Sequence, residues 1–252
     1  MQIFVLLPAY NESENLLPLL EKFIHLKTKT GFEEPLTIVL VDDGSQDSTS
    51  ETALNFKDRL DLVLIRHEKN LGFPHALRTG LNKILEVQRS RAPHPDDSLV
   101  VMDADNSHEP VLIANMAKKI MEGQDVVIGS RYVPGASETG VSVVRKFLSR
   151  ACGWILRRAF HLGEIQDYTS SYRMIRISCL KVLSEKTAGQ FFKENSFVCA
   201  FEFLFNLYGL KGRFCEVPLQ LHYDLKKGPS KMNVGKTILG YFRIIVRLKI
   251  RN

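Results

Sequence analysis

Two aspartates one residue apart, Asp103 and Asp105, follow directly on the apolar run Leu99-Val-Val-Met102. A short continuous apolar run reads as a strand covered on both faces, and Pro110 suits the first turn of a following helix. The acids then sit at the carboxyl end of a strand, where open α/β sheets keep their ligand crevice. Hard oxygen donors at this spacing suit Mg²⁺ or Mn²⁺ and, through the ion, a phosphorylated ligand. Alone, such a pair also serves as a turn former or helix cap.

The surrounding pattern supplies the elements that would position these acids. Residues 2–8 read as a strand that ends in Pro8-Ala-Tyr-Asn-Glu12, with Ser13 as N-cap of a helix carrying Leu16, Leu19, Leu20, Phe23 and Ile24. Leu36 to Val41 is a second strand ending in Asp42-Asp43-Gly44-Ser45, and Leu62 to Ile65 a third. A helix through Ala76, Leu77, Leu81, Ile84 and Leu85 follows, then a surface loop over 90–97. Strand five, Asp125 to Ile128, ends in Gly129-Ser-Arg131-Tyr132. Strand and helix alternate to about residue 130, which predicts a doubly wound, mostly parallel α/β sheet. Beyond it come a Gly-rich mobile loop (Val133 to Gly140), a basic helix (Val143 to Phe160), an aromatic helix (Phe197 to Tyr208) and a late strand (Gly212 to Leu221).

Several strand ends thus carry chemistry. Carboxylates such as Glu12 and Asp43 can accept hydrogen bonds from a base or ribose, while the acid pair takes a metal and diphosphate. Neither G-x-G-x-x-G nor G-x-x-x-x-G-K-[ST] is present, so no glycine loop cradles the phosphates.

The 252 residues allow one large domain, and the net charge of +6 hides an asymmetry. Residues 145–252 hold 20 Lys and Arg against 7 Asp and Glu, and those before them hold 14 against 21. A basic second part suits an anionic membrane surface or a phosphorylated acceptor, and no nucleic-acid module accompanies it. The four cysteines are scattered without metal or disulfide spacing, as expected of reduced thiols in a cytosolic setting. Pro8 cuts the first apolar run far short of a signal or spanning segment.

The motifs Pro8-Ala-Tyr-Asn-Glu12, Val41-Asp-Asp-Gly-Ser45, Asn70-Leu-Gly72, Met102-Asp-Ala-Asp105, Gly129-Ser-Arg131-Tyr132 and Asp167-Tyr-Thr-Ser-Ser-Tyr-Arg173 resemble those of family 2 glycosyltransferases of GT-A (Rossmann-like) fold. With Gly228-Pro-Ser-Lys231, their order is most similar to dolichyl-phosphate and polyprenyl-phosphate mannose synthases. The resemblance implies that Pro8, Ala9, Tyr10, Glu12, Val41 and Asp43 hold the nucleoside of a nucleotide diphosphate sugar. It further implies that Asp103, Ala104, Asp105 and Ser107 take the metal and diphosphate, with Asp103, Asp105 and Ser107 as ligands and Mg²⁺ or Mn²⁺ as cofactor. Arg131, Arg145 and Ser149 would meet the acceptor phosphate, joining Asp105 as the catalytic set, and Lys231 the donor phosphates.

The implied reaction is inverting transfer of a hexose, mannose favoured, to a polyprenyl or dolichyl phosphate. Glucose or an N-acetylhexosamine from a UDP-sugar remains an alternative. So does transfer to a glycan hydroxyl, for which Asp167 is the attractive base, and so does an inactive nucleotide-sugar-binding subunit. Two positions depart from the pattern: Leu225 stands where relatives carry an arginine, with Lys226 and Lys227 beside it, and Ser171 where they often carry glycine.

A lipid acceptor requires a membrane. Over Val234 to Arg251 a helical wheel gathers Lys236, Arg243, Arg247 and Arg251 into one stripe, with Ile238, Leu239, Tyr241, Phe242, Ile245, Val246 and Leu248 opposite. The expectation is a helix lying on the cytosolic face of a membrane, with core packing or a membrane-anchoring subunit as rival uses. Three parts follow: a nucleotide-sugar-binding half (1–131), an acceptor-side portion of the same domain (132–233) and a basic amphipathic helix (234–252).

Overall fold

The apolar run at the start of the chain forms the middle of the sheet. In the computed structural model, which describes residues 1–229 and 234–251, the elements run β1 (Ile3–Ala9), α1 (Ser13–Thr30), β2 (Leu36–Asp42), α2 (Thr49–Leu54), β3 (Asp61–Arg66), α3 (Phe73–Arg89), β4 (Ser98–Val101), α4 (Leu112–Met121) and β5 (Val126–Ser130). The second part adds β6 (Ser137–Thr139), α5 (Val143–Ala159), β7 (Arg173–Arg176), α6 (Ile177–Thr187), α7 (Cys199–Tyr208), β8 (Phe214–Pro218), β9 (Gln220–His222) and α8 (Val234–Arg251).

Seven strands form one sheet in the order β3-β2-β1-β4-β7-β5-β8. All run parallel except β7, which lies antiparallel between β4 and β5. Because side chains alternate along a strand, β1 sends Phe4 and Leu6 to one core and Ile3, Val5 and Leu7 to the other. The first core is closed by α3, α5, α6, α7 and α8, the second by α1, α2 and α4. The carboxyl ends of β1, β2, β4 and β5 consequently share one edge of the sheet, and that edge carries the acids.

Four local expectations are corrected. Ser13 is the first residue of α1 and does not cap it: its N–H and Oγ bond Asp47 Oδ2 at 3.1 and 2.8 Å, while the Glu12 carbonyl starts the helix. The stretch from Val133 to Gly140 is no free loop, since β6 pairs in parallel with β9. Gly140 takes φ +74, and a Cβ there would lie 2.4 Å from the Asp224 nitrogen, so two backbone segments meet at that glycine. The single late strand is broken at Leu219, and its halves join different sheets.

The fourth correction concerns α8, which is apolar on two sides. Ile244 and Leu248 are buried in the first core, and a Cβ on Gly240 would lie 2.9 Å from Val198 Cγ2. Arg247, expected on an open basic stripe, instead pairs with Glu194 at 3.2 Å and Glu202 at 2.8 Å. Ile238, Leu239, Phe242 and Val246 remain exposed on the other side.

Candidate active site

At the end of β1, the Ala9 carbonyl accepts the Asp43 N–H at 2.8 Å and ties two strand ends together. Glu12 is buried, with Oε2 2.6 Å from Asn15 Nδ2. The Asp43 carboxylate is already well supplied: Oδ1 meets His67 Nδ1 at 2.7 Å and the Leu71 N–H at 3.0 Å, and Oδ2 accepts the Gly72 N–H at 2.7 Å. A carboxylate has about four acceptor positions, so Asp43 keeps little for a ligand. Gly44 makes this turn possible, because at φ +72 a Cβ would lie 2.4 Å from the Lys69 carbonyl carbon. Pro8 and Tyr10 are half-buried beside this edge. Val41 is fully buried in the core and has no side-chain surface to offer a nucleotide.

Beyond β4 the chain turns through Asp103 to Ser107, with Asn106 at φ +63, a conformation asparagine tolerates. Ala104, Asp105 and Ser107 are nearly buried. The Ser107 N–H and Oγ donate to Asp105 Oδ1 at 3.1 and 2.5 Å, which fixes that carboxylate in place. Asp105 Oδ2 faces an ammonium: Lys226 Nζ lies 2.6 Å away. Burial opposes charge on both groups, but each holds the other ionised, so the Asp105 carboxyl lies below its ordinary value and the Lys226 ammonium above. Asp103 accepts from Ser171 Oγ at 3.0 Å, and burial pushes its carboxyl up. The Asp103 N–H donates to His108 Nδ1 at 3.2 Å, and the His108 ring stacks on Tyr172.

The acceptor-side residues form a second cluster. Asp167 is fully buried, and Arg131 grips it through Nε at 2.8 Å and Nη2 at 2.7 Å. Burial works against both charges, yet the pairing prevails, lowering the Asp167 carboxyl and raising the Arg131 guanidinium. Arg131 Nη1 reaches Ser149 Oγ at 3.2 Å, and Ser149 also meets the Tyr132 hydroxyl at 2.9 Å. Arg145, one turn earlier on α5, donates Nη1 to the Tyr223 hydroxyl at 2.6 Å and lies 4.6 Å from that ring's centre.

The structure therefore groups Asp103, Ala104, Asp105 and Ser107 in one turn and Arg131 with Ser149 in another, with Arg145 on Tyr223. Lys231 lies outside the described residues. Among the described residues, no three His, Cys, Asp or Glu gather to hold a metal by themselves. Asp167 is a buried clamp with its oxygens bonded by Arg131 and by the Thr169 and Ser170 N–H groups.

Tyr223, His108 and His67 were not readable as site residues. Lys226 lies 121 positions from Asp105; its place beside Leu225 marked it as a lysine that could stand in for the missing arginine, but not as the partner of Asp105. Ser171, noted only as a departure, turns out to donate to Asp103.

Comparison with known proteins gives the family and the fold. The Glycosyl transferase family 2 model matches residues 4–183. Dolichol-phosphate mannosyltransferase of Pyrococcus furiosus is 31% identical over 98% of this chain and 64% of its own length. Polyprenol monophosphomannose synthase of Mycolicibacterium smegmatis is 32% identical over 70% of this chain and 62% of its own length. The chain thus spans under two thirds of these curated relatives. Glucosyl-3-phosphoglycerate synthase of Mycobacterium tuberculosis, crystallised with Mn²⁺, UDP and glucosyl-3-phosphoglycerate, superposes with a TM-score of 0.64 at 18% identity, over 99% of this chain and 79% of that one. The architecture is the GT-A fold. The chain belongs to glycosyl transferase family 2.

Proposed function

We propose that this chain transfers a hexose, mannose first among candidates, from a nucleotide diphosphate sugar to a polyprenyl or dolichyl phosphate, with inversion at the anomeric carbon. The observation that carries the reading is the nearly buried Asp105, beside Asp103 at the carboxyl edge of the sheet and already matched by a cation. The similarity to a dolichol-phosphate mannosyltransferase and a polyprenol monophosphomannose synthase supports it.

The residues fit Mg²⁺ or Mn²⁺. Asp103 and Asp105 offer hard oxygens, and the Lys226 ammonium in contact with Asp105 marks a position that accepts positive charge. With two carboxylates available, donor phosphates would complete the coordination shell. When bound, the ion supplies charge neutralisation for the departing diphosphate. Ser107 holds Asp105 in its rotamer, and Ser171 and His108 do the same for the Asp103 turn.

On the other side, Arg145 orients an acceptor phosphate, while Arg131, Asp167 and Ser149 set the strand end beneath it. A phosphate with a second pKa of about 6 is largely deprotonated at neutral pH, so it attacks without a base. Burial of Asp167 is consistent with that economy and speaks against transfer to a glycan hydroxyl, which needs one.

Access to a lipid agrees with the surface of α5 and α8, which pack together. Phe147 and Trp154 on α5, and Leu239, Phe242 and Val246 on α8, point outward, with Arg150, Arg158, Arg243 and Lys249 also exposed. No helix among the described residues is long and apolar enough to cross a membrane. The exposed apolar and basic side chains support a peripheral position, proposed on the cytosolic leaflet, with apolar groups inserting and each basic residue adding roughly 1 kcal/mol near anionic lipid.

The test is a donor panel. Protein with Mn²⁺, a short polyprenyl phosphate and GDP-mannose, UDP-glucose or UDP-N-acetylglucosamine is expected to give a glycosylated lipid phosphate, most from GDP-mannose. No product from any donor would support an inactive binding subunit instead.

A further inference from the structure

Lys226 occupies the place where the acid pair would receive its ion. Its Nζ is 2.6 Å from Asp105 Oδ2, and its side chain and that of Asp105 are about one-tenth exposed. A divalent ion takes carboxylate oxygens at roughly 2.0–2.2 Å, so ion and ammonium cannot share that oxygen without two positive charges in contact. Nor can Lys226 drift far. The next residue is fastened to α1, with the Lys227 N–H donating to Asn15 Oδ1 at 2.7 Å and the Lys227 carbonyl accepting Asn15 Nδ2 at 3.0 Å. On the other side of it, the Tyr223 N–H donates to the Thr139 carbonyl at 2.9 Å. The Tyr223 ring lies 5.5 Å from Lys226 Nζ, a second resting face for the ammonium.

Resting on the transferase reading above, we propose that Lys226 is a placeholder cation: it neutralises Asp105 before loading, is displaced by the divalent ion, and then contacts the diphosphate that arrives with it. The tether makes this a swing of one flexible side chain about a fixed loop. A lysine suits the task because its ammonium is a point charge on a mobile stem, whereas an arginine fork would hold the carboxylate by two bonds. Placement one residue after Leu225 gives the chain a phosphate-seeking cation in a segment where the expected arginine is missing.

The placeholder makes opposite predictions for metal and for nucleotide, which a merely structural lysine does not. Mn²⁺ alone, followed by electron paramagnetic resonance of the free ion, is expected to bind Lys226→Met about tenfold more tightly than wild type, since nothing has to be displaced. GDP in saturating Mn²⁺, followed by calorimetry, is expected to bind the same variant several-fold more weakly. Lys226→Gln, which keeps a hydrogen-bonding end on Asp105, provides a second variant if Lys226→Met does not fold, with the same two signs. Unchanged or weaker Mn²⁺ binding in both variants, with wild type still binding GDP and Mn²⁺, overturns the placeholder and leaves the transferase reading standing. If wild type and variants all fail to bind Mn²⁺ with or without GDP, both fall together.

Discussion

Two cation–carboxylate pairs flank the candidate site, and they are built differently. Lys226 meets Asp105 through a single contact at 2.6 Å. Arg131 meets Asp167 through two donors at 2.7 and 2.8 Å, and the same guanidinium also reaches Thr169 and Ser149. A monodentate pair on a flexible stem can be exchanged for another cation, whereas a forked pair cannot open without stranding the fully buried Asp167 in the core. The contrast bears on which charges a ligand could reach: the pair at the acid turn rests on one contact, and the pair at the end of β5 on two.

Substitutions can break this contrast. The largest effect is expected from Asp105→Ala, which removes the exchangeable carboxylate. Product formation from the best donor should fall by at least about 10²-fold. Retained metal-dependent turnover would show that the two pairs have been assigned the wrong way round.

Asp167→Asn attacks the fixed pair, and its effect should appear in stability. Breaking a buried pair costs about 3–5 kcal/mol, measurable by urea unfolding. Asp167 has its carboxyl depressed in the folded state, so its stabilisation is present above the unfolded value near ~3.9 and is lost as pH falls through the lower folded value. Wild type should therefore lose stability steeply below about pH 4, and Asp167→Asn should do so less. Equal acid sensitivity in the two proteins would mean that the clamp contributes little.

A smaller change is expected from Arg145→Ala. It leaves both pairs intact and removes one cation facing the acceptor, so KM for the lipid phosphate should rise roughly tenfold with kcat nearly unchanged. The mildest is Phe242→Glu on the outward side of α8, where Phe242 is exposed. Folding should be unaffected, and binding to vesicles rich in anionic lipid should weaken by about tenfold. Undiminished vesicle binding would move the membrane contact elsewhere or to an anchoring subunit.

The parallel half of the fold was legible because its strands are short apolar runs ending in polar motifs, and β1, β2 and β4 fall where that pattern puts them. β7 was not, for a physical reason. Its four residues begin and end with arginines, and both are buried: Arg173 donates to the Tyr168 and Ala200 carbonyls, and Arg176 to the Gln124, Pro95 and Ile120 carbonyls while pairing with Asp96 and Asp125. Arginine at both ends hides a core strand from any reading of hydrophobicity. α8 misled in the opposite direction, since a wheel with one apolar half does not reveal that Tyr241, Ile245 and Leu248 pack inward while Phe242 and Val246 do not.

The site was legible to the same degree. Asp103 and Asp105 stand out only through the motifs around them, since that spacing alone also suits a turn or a cap, and whatever sits opposite them is set by a loop after β9, more than a hundred residues later. Only the meeting of that loop with the acid turn, where the His222 N–H bonds the Ser107 carbonyl at 2.9 Å, brings Lys226 to Asp105.

Exchange at Asp105 is most directly tested by crystals grown without ligand and then soaked in MnCl₂ and GDP, with anomalous scattering recorded at the manganese edge. A peak against Asp103 and Asp105, GDP phosphates on it and Lys226 moved off Asp105 onto the diphosphate is the predicted result. GDP bound with no peak at the acids, and Lys226 still paired to Asp105, would contradict it.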